Sequence, residues 1–228
     1  MLFSLLGSNL PVGYIIGLLV VYVLVLAISL GSHEFAHAFA AYRNGDYTAK
    51  NMGRMTLNPF AHFNAYGFVC LLLLGFGWAE PVPVNPYYLN RGKKSLFQVA
   101  VAGVTANLIL AILFSLILVV ISVFFPVFFM SESFISIMVY QTLNWGLVIN
   151  LSLAVFNLLP FYPLDGSKVL ELCLKPENKF IQFMQRYSML IMLALLLFGV
   201  ISFVLDIIVS FLGTGMITMW STLFSLFV

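Results

Sequence analysis

The chain has 228 residues, of which 62% are hydrophobic and only 8% are charged. A water-soluble domain carries roughly a quarter charged residues, so this composition excludes an ordinary soluble globular protein, and the net charge of +2 indicates no nucleic-acid partner. Apolar runs longer than about 18 residues recur along the chain, as a bilayer core demands. We therefore predict an all-α polytopic membrane protein, embedded in the lipid bilayer as one domain over residues 1–228.

The first predicted helix covers residues 12–42 and is long enough to cross a bilayer and project beyond it. The residues before it have no basic region and no small-residue cleavage site, so we expect no removable signal peptide. A polar stretch follows at 43–66. The apolar run at 67–78 is about a dozen residues long, which is short for a full crossing and more typical of a re-entrant segment.

The sequence EPVPVNP then breaks any helix. We predict long membrane helices at residues 95–125, 135–159 and 183–211, and leave open whether the apolar residues 216–228 cross the membrane. The total is about five to six transmembrane or re-entrant helices. Cys70 and Cys173 lie far apart in apolar sequence, so we predict neither a disulfide nor a thiolate metal site.

The distribution of basic residues tests this arrangement. All ten Lys and Arg residues lie in the segments 43–95 and 161–186. If residues 67–78 enter the membrane and return, both segments face one side, which the positive-inside rule assigns to the cytoplasm. A full crossing would instead turn Arg91, Lys93 and Lys94 outward. We therefore predict a re-entrant segment, in a multi-pass protein of the plasma membrane.

The sequence HEFAH places His33 and His37 one helical turn apart, so both imidazoles can bind one metal ion. A catalytic zinc site uses three protein ligands and leaves a fourth position for water. The glutamate of such a motif, here Glu34, takes a proton from that water and passes it to the leaving amine. Shuffled sequences of this composition would contain the motif roughly once in a thousand cases, so chance explains it poorly.

A third ligand must come from one of the few remaining acids. Asp165 is our candidate, because it follows the broken helix end NLLPFYPLDG on the side where the first helix also places its histidines. Pro160 and Pro163 prevent a regular helix there, and Gly166 permits close approach. The alternative is that Asp165 caps the following helical segment SKVLELCL. The two roles are compatible.

Together, HEFAH, GRMTLNPF and NLLPFYPLDG resemble the site-2 protease family of intramembrane zinc metallopeptidases, over about residues 12–175. The resemblance implies cleavage of a peptide bond within or near a transmembrane segment of a membrane-protein substrate. It also implies one zinc ion held by His33, His37 and Asp165, with Glu34 as the catalytic glutamate. The distribution of basic residues places the active site toward the cytoplasm.

The same resemblance implies substrate-binding roles for two asparagines. Asn157 matches a residue thought to position the substrate backbone, and Asn107 matches an intramembrane asparagine that could stabilise the developing oxyanion. The alternative for both is hydrogen bonding between helices. Small residues around Asn107, Gly103 among them, would allow another helix to approach closely.

Further expectations concern substrate handling. By resemblance, residues 54–59 would supply a small re-entrant extended, β-like edge for strand addition to an unwound substrate, the alternative being an ordinary cytoplasmic loop. His62 would be an interfacial side chain or a substrate contact. Asp206, near the outer end of the last long span, would snorkel or pair. The chain departs from the family at Val104, Glu80 and Tyr162, where substrate handling would differ.

Two other functions compete with proteolysis. A metal-ion transporter also places His and Glu residues within helices, but it needs further ligands along a path across the bilayer. An inactive scaffold would keep the fold without turnover. All four expected catalytic and ligand residues are present, which favours the protease.

Overall fold

A computed structural model describes residues 10–62, 64–67, 79–174 and 178–227. The helices with both ends in these ranges are α1 (Val12–Arg43), α2 (Thr48–Asn51), α3 (Lys93–Phe124), α4 (Pro126–Met130), α5 (Phe134–Asn157), α6 (Asp165–Cys173), α7 (Lys179–Leu197) and α8 (Val200–Phe224). Two short 3₁₀ helices cover Pro59–His62 and Pro86–Tyr88. The described residues contain no β-strand, which confirms the all-α fold class.

Among the described residues, five helices are long and apolar enough to cross a membrane: α1, α3, α5, α7 and α8. The first three confirm the predicted spans at 12–42, 95–125 and 135–159. Polar residues start some of the helices: the Ser133 side chain accepts a hydrogen bond from the backbone N–H of Ser136 at the start of α5, and Asn178 accepts one from Phe180 before α7.

The predicted single span at 183–211 is wrong. The chain breaks between α7 and α8 at Phe198 and Gly199, where Gly199 has a left-handed φ of 71°. Apolar residues continue on both sides of this break, so hydropathy carries no sign of it. The apolar residues from 216 onward are likewise no separate segment, because α8 continues through Phe224.

The extended segment predicted after the first helix falls partly outside the described residues. Residues 54–58 form bends and loop rather than a strand, and they lead into the 3₁₀ helix Pro59–His62. Of the predicted re-entrant run at 67–78, the structure describes Gly67 alone.

Helices α1, α3 and α5 pack against one another, and α8 packs on α3 and α5. Val209 of α8 lies in one buried cluster with Ala111, Leu147 and Leu151. Farther along α8, the Trp220 indole N–H donates to the Ser115 hydroxyl at 3.1 Å, and the Phe224 and Phe124 rings lie 5.7 Å apart. Helix α8 therefore runs parallel to α3.

The segment 80–85, between α2 and α3, is held in an extended form against the end of α1. Three of its residues precede a proline, which disfavours helical backbone at each. The fully buried Asp46 carboxylate accepts hydrogen bonds from the Asn85 N–H at 2.7 Å and the Thr48 N–H at 2.9 Å. The Asn90 N–H also donates to the Asn44 carbonyl at 2.8 Å. These bonds fix the segment beside the histidines.

Candidate active site

His33 and His37 lie on one face of α1, and both are buried. Their Nε2 atoms are 3.1 Å apart. One carboxylate oxygen of Asp165, Oδ2, lies 2.8 Å from Nε2 of His37 and 3.2 Å from Nε2 of His33. The three side chains that the sequence analysis selected as metal ligands therefore meet at one point, although Asp165 is 128 residues from His37 along the chain.

Asp165 reaches this point because of the turn that precedes it. It is the first residue of α6, and Leu164 is the N-cap, with no side-chain hydrogen bond to cap the helix. The Asp165 side chain is thus turned to the histidines rather than used as a cap. A Cβ at Gly166 would collide with the carbonyl oxygens of Leu158 and Leu159, so glycine allows α6 to start directly against the end of α5.

The second nitrogen of each imidazole ring has its own partner. Nδ1 of His37 lies 2.7 Å from the backbone carbonyl oxygen of Val99, and Nδ1 of His33 lies 2.6 Å from Oδ1 of Asn107. A carbonyl oxygen can only accept, so each Nδ1 carries the proton and donates it. In the neutral form of each ring, the Nε2 lone pair then points at Oδ2 of Asp165.

Three lone pairs directed at one point repel one another unless a cation lies between them. Two imidazole nitrogens and one carboxylate oxygen are the donor set of many catalytic zinc sites. Ligand distances of about 2.0–2.2 Å in a tetrahedral site separate the ligand atoms by about 3.3–3.6 Å, slightly more than the spacing of 2.8–3.2 Å found here. The donor set therefore fits zinc after an expansion of a few tenths of an ångström.

Lys168, one turn into α6, contacts the other oxygen of the same carboxylate. Its ammonium lies 2.9 Å from Oδ1 of Asp165, while its side chain remains 59% exposed. This ion pair leaves Oδ2 to face the histidines. Asp165 is thereby oriented through both of its oxygens.

Gly103 of α3 faces the two imidazole rings. A Cβ built on Gly103 would lie 2.5 Å from Cε1 of His33 and 2.5 Å from Nε2 of His37, which no real Cβ tolerates. From the sequence, Gly103 was predicted to be a small residue that allows another helix to approach. In the structure, the groups that lie closest to Gly103 are the imidazole rings of His33 and His37.

Glu34 lies next to the histidines and is half-buried. Its Oε2 atom accepts a hydrogen bond of 2.9 Å from the backbone N–H of Val82, in the 80–85 segment. Glu34 does not join the group of three that could hold a metal ion. This position, beside the ligands but outside their set, suits a general base.

A cleft of about 610 Å³ opens beside these residues. Its walls include the 80–85 segment, the end of α5, helix α6 and the start of α7. Glu34 shares the cleft with three other charged residues, Asp165, Lys168 and Glu171. The cleft therefore offers water and a peptide a route to the histidines.

The two predicted substrate-binding asparagines lie in different surroundings. Asn157 lines the cleft, and its side-chain amide donates to the Leu153 carbonyl at 2.9 Å. Asn107 is 0% exposed and contacts His33 from behind. The structure thus puts Asn157 within reach of a ligand in the cleft and surrounds Asn107 with protein.

The remaining predicted residues lie away from the cleft. His62 is buried, with Nε2 at 3.0 Å from the Thr56 carbonyl oxygen. Asp206 is exposed, and it lies six residues after the start of α8 rather than near the outer end of a span.

Sequence reasoning also missed Asn150, a fully buried residue of α5 that contacts Asn107. The sequence did contain an indication of its role, because burying an amide side chain in a long apolar helix costs free energy unless the amide has a hydrogen-bond partner. The Val99 carbonyl had no such signal, since every residue carries a carbonyl group.

The fold and this site define a membrane-embedded metallopeptidase. The profile of Peptidase family M50 matches residues 21–199. The chain therefore belongs to this family, the site-2 protease family of intramembrane zinc metalloproteases.

Curated relatives agree with this assignment. The chain is 39% identical over 158 residues to the protein named "Putative zinc metalloprotease YwhC" of Bacillus subtilis, which covers 69% of this chain and 71% of that protein. It is 33% identical over 172 residues to Rip2 of Mycolicibacterium smegmatis and 32% identical over 168 residues to Rip2 of Mycobacterium tuberculosis. Each Rip2 match covers 70% of this chain and 60% of the relative. No solved structure matches the chain significantly.

Proposed function

We propose that this protein hydrolyses peptide bonds within or near the transmembrane segments of membrane-protein substrates, with one zinc ion held by His33, His37 and Asp165. The observation that carries the proposal is the convergence of the three ligand atoms, which lie 2.8–3.2 Å from one another on the wall of an open cleft. Zinc in such a site acidifies water and polarises the carbonyl group to be attacked.

Glu34 acts as the general base in this proposal. One of its oxygens, Oε2, is held by the Val82 N–H, which leaves Oε1 to take a proton from the attacking water. Glu34 then delivers that proton to the amine of the leaving peptide. The hydrogen bond from Val82 keeps the carboxylate aimed at the cleft during both steps.

The location of the histidines supports cleavage at membrane depth. His33 lies ten residues before the end of α1 at Arg43, about 15 Å along the helix axis, and the surrounding helix is apolar enough to span a bilayer. A substrate helix must unwind in order to expose a peptide bond there. We propose that Asn157, which lines the cleft, holds the unwound substrate backbone.

The distribution of basic residues indicates which side of the membrane the cleft faces. All ten Lys and Arg residues fall within 43–95 and 161–186, the segments that adjoin the cleft. The positive-inside rule then directs the cleft toward the cytoplasm. We infer a plasma-membrane protein that takes its catalytic water from the cytoplasmic side.

Metal transport is the weaker alternative. A carrier needs further ligands along a path through the bilayer. Across the described ranges, the group formed by His33, His37 and Asp165 is the one cluster of three or more potential ligands. A single cluster of potential metal ligands on the wall of a cleft favours a catalytic role over metal transport.

The test compares the purified protein with Glu34→Gln. We expect both to contain one zinc ion per chain, and we expect cleavage of transmembrane peptides by the variant to be roughly 10²–10⁴-fold slower, the usual contribution of a general base. Glu132→Gln, the same change in an exposed loop remote from the cleft, serves as the control. Equal cleavage by the protein and Glu34→Gln, or cleavage by neither, would contradict the proposal.

A further inference from the structure

A set of buried polar side chains connects His33 to two other helices. Ser29 on α1, Asn107 on α3 and Asn150 on α5 are each 0% exposed, although all three helices have the composition of membrane spans. An unpaired amide in such surroundings is costly. Hydrogen bonds join these three residues across the helices.

The first hydrogen bonds of this set lead from His33 through Asn107 to Asn150 and Ser29. Nδ1 of His33 lies 2.6 Å from Oδ1 of Asn107. The Asn107 amide nitrogen, Nδ2, donates to Oδ1 of Asn150 at 2.9 Å and to the backbone carbonyl of Ser29 at 3.3 Å. Both functional ends of Asn107 are therefore occupied.

The second part ends on backbone carbonyls. Nδ2 of Asn150 donates to the carbonyl of Gly146 at 2.8 Å and to the hydroxyl oxygen of Ser29 at 2.9 Å. The Ser29 hydroxyl in turn donates to the carbonyl of Val25 at 2.8 Å. With these bonds, the side-chain amide of Asn150 is also paired at both ends.

These carbonyl groups determine the direction of every bond. A backbone carbonyl only accepts, so Asn150 must turn Nδ2 toward Gly146 and Oδ1 toward Asn107. Asn107 must then present Nδ2 to Asn150 and Oδ1 to His33. The ring nitrogen that meets Oδ1 must carry a proton, which leaves the Nε2 lone pair of His33 free for the metal.

We propose that Asn150 is a positioning residue for the metal site: acting through Asn107, it holds His33 in the tautomer and the orientation that bind zinc. The proposal rests on the proposed zinc site. It differs from a purely structural role as a hydrogen bond between helices, which would stabilise the fold without acting on the metal. His37 lies outside this set of bonds, because its Nδ1 donates directly to the Val99 carbonyl.

The experiment measures zinc affinity of the full chain in detergent for the wild type, Asn107→Leu, Asn150→Leu and the double variant. Partners of metal-binding histidines typically contribute about 10–100-fold in metal affinity. We expect a loss within that range for Asn107→Leu and about tenfold for Asn150→Leu. The double variant should be no weaker than Asn107→Leu, because Asn150 acts through Asn107.

Ser115→Ala is the matched control. Ser115 is fully buried and joins α3 to α8 through the Trp220 indole at 3.1 Å, but it has no bond to His33. This variant should lower the unfolding temperature of the metal-free protein while leaving zinc affinity unchanged. A change in the absorption bands of the cobalt-substituted protein should accompany Asn150→Leu and be absent from Ser115→Ala.

Several results would overturn the proposal. One is wild-type affinity in Asn150→Leu, and another is a double variant whose loss equals the product of the two single losses. If the wild type itself binds no zinc, the proposed function fails together with this inference. If Asn150→Leu does not fold, Ser29→Ala removes one acceptor of the Asn150 amide and should weaken zinc binding about threefold, which is less than the roughly 10–100-fold expected for a direct partner of a metal-binding histidine. Unchanged affinity in Ser29→Ala would count against the proposal.

Discussion

The backbone N–H of Val82 donates a hydrogen bond of 2.9 Å to the carboxylate of Glu34, a residue 48 positions earlier in the chain. Val82 lies between two prolines, which have no N–H to donate. Within residues 81–83, Val82 therefore supplies the only backbone donor. This bond joins the 80–85 segment to the proposed general base.

Replacing Val82 by proline removes this donor while keeping the backbone extended. We expect Val82→Pro to retain zinc and to lose about tenfold in kcat, since one hydrogen bond to a charged group contributes about 1.5–3 kcal/mol. Val82→Ala keeps the N–H and should lose much less. Steady-state cleavage of a transmembrane peptide measures both, and equal losses in the two variants would show that the side chain matters rather than the N–H.

A methyl group at Gly103 should block the metal site. The added Cβ of Gly103→Ala would lie 2.5 Å from atoms of both His33 and His37, so the rings must move apart. We expect zinc affinity to fall by at least about a hundredfold, the upper range for changes next to metal ligands. Gly215→Ala on α8, where a Cβ meets nothing within 4 Å, is the control. Full zinc content in Gly103→Ala would contradict the geometry described above.

Zinc binding should require the negative charge of the Asp165 carboxylate and not only the size of the side chain. Asp165→Asn keeps the size of the side chain but removes the negative charge that zinc and Lys168 share. We expect zinc binding to fall by about a hundredfold or more, because carboxylate is preferred over amide as a zinc ligand. Asp206→Asn makes the same change at an exposed position. Metal analysis after dialysis compares the two, and equal zinc retention would exclude Asp165 as a ligand.

Asp46 should stabilise the protein through the 80–85 segment. Its two oxygens accept from the N–H groups of Thr48 and Asn85, and Asp46→Asn turns an amide N–H₂ toward one of these donors. We expect a loss of about 1–3 kcal/mol in the free energy of unfolding, the usual cost of an unsatisfied buried donor. Denaturation of the metal-free protein measures it. An unchanged unfolding free energy would show that the segment is held by other contacts.

Much of this arrangement could be predicted because the signals are local. A helix with histidines four residues apart places both on one face whatever the rest of the chain does. Long apolar runs predicted α1, α3 and α5 because bilayer thickness sets a minimum length. Asp165 could be selected because the chain has only eight acids, and few of them follow a broken helix end.

The errors and omissions have physical reasons as well. The break at Gly199 lies within continuous apolar sequence, so composition gives no sign that α7 ends there. The burial of Asn107 and its contact with Nδ1 of His33 were not predicted either. Which way an asparagine amide points depends on neighbours from other helices, and those neighbours are distant in sequence.

Sequence alone determined that the protein lies in a membrane and that His33, Glu34 and His37 share one turn of helix, because helical periodicity and hydropathy act over a few neighbouring residues. Tertiary packing decided which groups complete the site: the carbonyl of Val99, the N–H of Val82, the space left by Gly103 and the amide of Asn150. Backbone groups and empty space have no residue-specific signature. Their roles arise only when helices far apart in the chain are brought into contact.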